Sequence, residues 1–137
     1  MLTTKQYRSA QKAAAALFDK AGIIMTPAET EGIEVADFGL GELQTTGLML
    51  VTYVNTSRVC AKELALLPGQ TCPEHRHPSV QGQPGKEETF RCRFGEVRLY
   101  VQGDATPGAR PPAGAYTVFH EIVLLPGMQY TLYPDTL

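Results

Sequence analysis

From Gly47 onward the apolar residues fall into short blocks separated by turn residues, and no helical period intervenes. The blocks cover residues 48–54, 59–67, 86–94, 97–101, 116–125 and 129–133. Between them stand Asn55-Thr56, Pro68-Gly69, Gly95, Gly103-Asp104 and Pro126-Gly127, all turn-forming signals. Several short strands at regular spacing, with no helices between them, argue for an antiparallel sandwich or small barrel. Two loops rich in Pro and Gly, residues 78–85 and 105–114, are expected to be exposed.

The N-terminal segment has a different period. Tyr7, Ala10, Ala14, Leu17 and Phe18 recur at helical spacing, Thr3 and Gln6 have the spacing of a capping box, and Gly22 supplies a stop. That apolar stripe must dock on another element. Thr26-Pro27-Ala28-Glu29 signals a second, short helix, with Thr at the N-cap, Pro at the first helical position and Glu at the third. The expected organisation is a single domain over residues 1–137, mainly β, with a helical segment over 1–32 and the β region over 33–137.

With 137 residues, the chain has material for one compact domain. Twelve Lys and Arg are spread among 14 Asp and Glu, so no basic stripe exists to neutralise phosphates, and nucleic acid is not an expected partner. No apolar run approaches the roughly 18 to 20 residues that cross a bilayer, and residues 1–8 lead into an alanine-rich helix without a cleavage signal. The expected location is the cytoplasm. Cys60, Cys72 and Cys92 form no CxxC pair, and an odd number cannot all be bridged within one chain. Their expected role is that of small buried hydrophobes, with Cys72, three residues before His75, the candidate for something more.

Chemistry concentrates around His75 and His77, which flank Arg76. In an extended strand, residues two apart point to the same face, so both imidazoles can reach one ion. If the strand opened by residues 86–92 lies beside the first, Glu87 or Glu88 joins them. Imidazole plus carboxylate suits Mn²⁺, Fe²⁺, Co²⁺, Ni²⁺ or Zn²⁺. An HxH pair alone is as readily explained by surface or hydrogen-bonded histidines. Lys86, two residues before Glu88, shares its face on one strand and is expected to point into the same pocket; a solvated lysine at a strand start is the bland counterpart. Lys62 is a second candidate catalytic lysine, because Cys60, Leu64 and Leu66 share its face; the alternative is a strand-edge lysine. Glu74, Arg76 and Glu87 alternate with these residues and are expected to face away from the ion, Glu74 and Arg76 either supporting the ligands from behind or lying on the outer face with possible ion pairing, and Arg91 and Arg93 to serve structure or a dimer interface.

Gly69, five residues, His75-Arg76-His77, a loop, Glu88, six residues and Gly95 resemble the first motif of the cupin superfamily. Glu88 has the six-residue spacing to the glycine and Glu87 does not. The wider text, through Val51-Thr52-Tyr53-Val54-Asn55, Cys60-Ala61-Lys62-Glu63-Leu64, residues 72–78 and residues 85–93, is similar to the bacterial D-lyxose ketol-isomerases over most of the chain from about Gly32. The resemblance implies a cupin-type antiparallel β-barrel, or jelly roll, usually dimeric. It implies Mn²⁺ held by His75, His77 and Glu88, with Lys86 in the pocket. The implied reaction interconverts D-lyxose with D-xylulose, and often D-mannose with D-fructose. Cupins add a fourth ligand, a histidine in a second motif, and residues 125–137 resemble the approach to it; by resemblance that histidine would follow Leu137, and the closing strands with it. His120 precedes the Pro126-Gly127 turn and is expected to pack or hydrogen-bond rather than replace it. Two ligand imidazoles and a carboxylate still make an open facial triad that can bind an ion. The competing readings are a non-catalytic cupin that binds metal and sugar, and a different cupin enzyme such as an Fe²⁺ dioxygenase.

Overall fold

The structure, a computed structural model, describes residues 2–112 and 117–137. The parts of the expected strand 116–125 and of the expected loop 105–114 that fall on residues 113–116 lie outside the described residues, as does Met1. The described chain is mainly β with two N-terminal helices, and every pairing between its named strands is antiparallel. The strands form one three-stranded and two two-stranded ladders, and none of these closes into a barrel among the described residues. The chain divides into two compact units, Met1–Pro73 and Glu74–Leu137.

In the first unit, helix α1 (Thr4–Lys20) begins at N-cap Thr3, whose hydroxyl accepts from the Gln6 amide while the Gln6 side chain accepts from the Thr3 amide. This reciprocal pair satisfies donors that the first helical turn leaves without partners. Helix α2 (Pro27–Glu31) repeats the device with Thr26 and Glu29, with Pro27 at its start. The sequence locates both helices because caps are local chemistry.

Strands β1 (Glu34–Ala36), β2 (Leu48–Asn55) and β3 (Cys60–Ala65) follow, in the order β1-β2-β3. Ala10, Ala14 and Phe18 of α1 cluster with Ile33, Leu43, Met49, Val51 and Ala65 to make this unit's core. Buried Gln11 donates to the Ile33 carbonyl at 2.8 Å and to Glu31 at 3.2 Å, so α1 is tied to the chain entering β1 by polar as well as apolar contacts. β1 was not among the sequence-defined blocks. With three residues it is too short for a period to show, and its pairing with Leu48, Met49 and Leu50 defines it.

The second unit holds β4 (Glu88–Arg91) paired with β7 (Gln129–Leu132), and β5 (Val97–Val101) paired with β6 (His120–Leu124). The β4–β7 pairing runs on past the strand ends, where Cys92 N–H donates to the Met128 carbonyl and Gly127 N–H to that of Cys92. This closes the pair at the expected Pro126-Gly127 turn. Along β4 burial alternates: Glu88 and Phe90 are half-buried, Cys92 just beyond is buried, and Thr89 and Arg91 are exposed. One face of β4 therefore carries Glu88 inward beside apolar neighbours.

Two local expectations are corrected. Residues 73–79, including His75 and His77, belong to no strand, and the partner of β4 is β7 rather than the histidine segment. Pro73 and Pro78 cannot donate to a ladder, so an apparently extended sequence has no regular pairing to make it a strand. Lys86 also lies outside β4, which starts at Glu88. Cys92 is buried, as expected of a small hydrophobe, whereas Cys60 and Cys72 are half-buried.

Candidate metal centre

Three side chains of the second unit converge. Donor atoms of His75, His77 and Glu88 lie within 4.8 Å of one another, His75 exposed and the other two half-buried. The two imidazoles meet edge to face, with ring centroids 5.0 Å apart and planes at 86°. Such a group could hold a metal ion. Glu88 rather than Glu87 joins the histidines, the glutamate that the motif resemblance implies.

His77 Nε2 tests whether an ion fits. It is buried and makes no hydrogen bond, although Glu88 Oε2 is 3.2 Å away. The approach is close enough for an ion pair but lacks the direction of a hydrogen bond. A buried nitrogen without a partner is costly. Two donors each about 2.1 Å from one ion stand about 3 Å apart at the angles of a tetrahedron or octahedron, so this separation suits ligands that share a cation.

The other oxygen of Glu88 is held by Lys86, whose Nζ lies 2.6 Å from Oε1. Burial acts most strongly on the Glu88 carboxyl and pushes its pKa up. The Lys86 hydrogen bond and charge, together with the His77 ring, outweigh it and hold the group below the usual glutamate value. The carboxylate is therefore kept ionised and ready to bind a cation. The Lys86 side chain is 48% exposed, so its ammonium borders both the cluster and solvent.

The remaining sequence candidates are placed as follows. Lys62 is exposed on β3 opposite Thr52, with Glu63 and Ala65 carrying the buried face of that strand. Glu63 pairs with Val51 and Ala65 with Met49, both buried residues of β2. His120 Nδ1 is 2.9 Å from the Asp104 carbonyl oxygen, the hydrogen-bonding role expected of it. Glu74 and Arg76 do not join the cluster.

The sequence offers Glu74 as a possible support for the ligands but gives no sign of its partner Thr117, nor of Ser79 and Asp135, which hold the other side of the histidine segment. Both Glu74 oxygens accept from Thr117, one from its amide at 2.6 Å and one from its hydroxyl. Both Asp135 oxygens accept from Ser79, from the amide at 2.6 Å and the hydroxyl at 2.7 Å, while Asp135 N–H donates to the His77 carbonyl at 3.2 Å. These bonds hold both carboxyls below their usual pKa, the Thr117 and Ser79 hydroxyls acting most strongly and their amides next. The charge of Arg76 adds to the effect at Asp135. Gly85 passes so close to His77 that a Cβ there would lie 1.8 Å from the His77 carbonyl oxygen. No spacing rule could have found Thr117 or Asp135, which are 43 and 56 residues from their partners.

Comparison with known proteins gives this cluster its setting. No family model matches the chain. It is 59% identical to the D-lyxose/D-mannose isomerase of Thermosediminibacter oceani, a match that covers all of this chain and 78% of that protein. It is 61% identical to the D-lyxose ketol-isomerase of Cohnella laeviribosi, over 96% of this chain and 75% of the relative. The D-lyxose ketol-isomerase of a Thermofilum species is 54% identical, over all of this chain and 79% of its own length. A mainly β chain with relatives of this kind, and with two imidazoles and a carboxylate gathered beside a lysine, is an enzyme of the sugar isomerase class. At such identity across nearly its whole length, it belongs to the D-lyxose ketol-isomerase family.

Proposed function

We propose that the chain is a divalent-metal-dependent aldose-ketose isomerase that interconverts D-lyxose with D-xylulose and D-mannose with D-fructose. The observation that carries this reading is the convergence of His75, His77 and Glu88, with the Lys86 ammonium on the free side of the carboxylate. In this reading the three side chains hold the ion, Mn²⁺ in the first place, with Co²⁺, Fe²⁺, Ni²⁺ and Zn²⁺ as chemically compatible substitutes. When bound, it supplies a Lewis acid that offsets the negative charge developing on the sugar oxygens.

The chain's own groups do the rest. Isomerisation moves a proton between C1 and C2 of the sugar through an enediol, so negative charge grows on an oxygen beside the reacting carbons. Lys86 Nζ, fixed by Glu88 yet open to solvent, is the group available to donate to that oxygen and stabilise it. Glu88 orients the ammonium through one oxygen and leaves the other facing His77. Lys62 is retained as a second catalytic lysine, its ammonium on the exposed side of β3. The working form in this reading is a cytoplasmic homodimer. Among the described residues, no helix is long and apolar enough to cross a membrane.

The test is a paired assay of the 137-residue chain: metal content after Mn²⁺ loading, and ketose formation from D-lyxose and D-mannose with and without a chelator. Metal uptake with chelator-sensitive turnover is the expected result. Metal and sugar binding without ketose formation would replace this reading with a non-catalytic cupin, and oxygen consumption would replace it with a dioxygenase.

A further inference from the structure

A ligand histidine must point in a fixed direction, and a strand's ladder is one way to provide it. His75 and His77 have no such ladder, since residues 73–79 lie in no strand. The fold instead grips both flanks of the pair in the same way. On the N-terminal side Glu74 takes the amide and the hydroxyl of Thr117 on its two oxygens. On the C-terminal side Asp135 does the same with the amide and the hydroxyl of Ser79. A carboxylate that spends both oxygens on one residue's N–H and O–H fixes orientation as well as distance, and such charge-assisted bonds are the strong ones.

Asp135 is further committed. Its backbone has φ +62°, a left-handed conformation uncommon outside glycine. In that conformation its amide reaches the His77 carbonyl while its carboxylate reaches Ser79. One residue thus holds the ligand's own peptide unit and the residue two beyond it.

We propose that Glu74 and Asp135 are positioning residues, two carboxylate clamps that set the His75–His77 segment so that both imidazoles meet Glu88. This rests on the metal-site reading above and deepens it. Neither carboxylate is among the three converging side chains; each acts through the backbone of the segment that carries the histidines.

The experiment compares the parent chain with Asp135→Ala, Asp135→Asn, Glu74→Gln and Ser79→Ala. Two quantities are read: Co²⁺ affinity by competition with a chromogenic chelator, and the imidazole Cε1–H resonances of the metal-free protein. Asp135→Ala is expected to weaken Co²⁺ binding about 10- to 100-fold, the usual effect of losing a group that orients a ligand, and to shift the His77 resonance without metal. Asp135→Asn keeps an acceptor for the Ser79 amide and is expected to recover part of the loss, and Glu74→Gln, which keeps an acceptor for Thr117 but loses the charge, is expected to weaken Co²⁺ binding less than Asp135→Ala and to shift the His75 resonance. Ser79→Ala removes one exposed hydroxyl from an intact loop, so it keeps the test open should Asp135→Ala not fold; about a three- to tenfold loss of affinity is expected. Variants that melt earlier yet bind Co²⁺ like the parent, with unmoved imidazole signals, would overturn the proposal and leave the clamps a purely stabilising role. A parent that takes up no Co²⁺ would overturn the metal reading itself, and the metal-free resonances would then decide the clamps alone.

Discussion

Replacing Gly85 with alanine tests how tightly the loop of residues 78–85 is folded onto the histidine it follows. The new Cβ would stand 1.8 Å from the His77 carbonyl oxygen, 2.8 Å from the His77 carbonyl carbon and 3.0 Å from the Pro78 carbonyl carbon. A carbon and a carbonyl oxygen approach comfortably at about 3.3 Å, so the two backbones must part by about 1.5 Å. All three obstructing atoms are main chain, so no side-chain rotamer can relieve the clash. The expected loss of stability is that of an overpacked site, about 1–3 kcal/mol. The functional loss is expected to be larger, because the displaced peptide unit carries the His77 ring. A misplacement of about 1 Å can lower turnover about 100-fold. Co²⁺ affinity by chelator competition, ketose formation from D-lyxose and urea unfolding of Gly85→Ala measure the three effects. Gly82→Ala in the same loop is the control: its φ of +76° strains an alanine, but nothing lies within 4 Å of the added Cβ. The control is expected to lose stability and keep its metal affinity. A Gly85→Ala protein with the parent's affinity and turnover would refute the claim that this contact fixes His77.

Three other outcomes are expected. His77→Ala should abolish metal retention, measured by metal analysis after loading and gel filtration, whereas Glu87→Ala should leave it intact; loss of metal in the second would overturn the assignment of Glu88. Lys86→Ala should not weaken metal binding, because the ammonium competes with a cation for Glu88, but it should lower kcat for ketose formation about 10²- to 10³-fold, as loss of a preorganised donor does; unchanged turnover would make Lys86 a solvated lysine. In the β5–β6 pair, the Glu121 carboxyl is held below its usual value, first by the Tyr100 hydroxyl, against opposing burial, and then by the hydrogen bond and charge of Arg98. A depressed carboxyl pKa contributes stability at pH above the ordinary glutamate value of 4.5, and that contribution is lost as pH falls through the depressed one. Glu121→Gln should therefore flatten the acid side of the thermal-midpoint profile, and a carboxyl carbon NMR titration that places Glu121 at or above its ordinary value would contradict this.

What the sequence determined was local or periodic. The two capping boxes needed only Thr3 with Gln6 and Thr26 with Glu29, because a helix start is satisfied within its first turn. β2, β3, β5 and β7 fall within a residue or two of the blocks that the apolar pattern outlines, since side-chain alternation is intrinsic to an extended chain. Between Glu87 and Glu88 the residues alone did not choose; the resemblance of the Glu88 to Gly95 spacing to the cupin motif pointed to the carboxylate that meets the histidines. The tertiary structure decided everything that depends on a distant partner. β1 exists because β2 lies beside it, and the pairing of Glu63 with buried Val51 and of Ala65 with buried Met49 turns those residues of β3 inward, leaving Lys62 exposed. The histidine segment is extended in sequence but is not a strand. Its direction comes from Thr117, Asp135 and the close passage of Gly85, contacts that only the folded chain can bring together. A side chain's face can be read from its neighbours along the chain; its exact aim depends on backbone contacts that a hydrogen bond of less than 3 Å fixes only once folding has closed the loops between them.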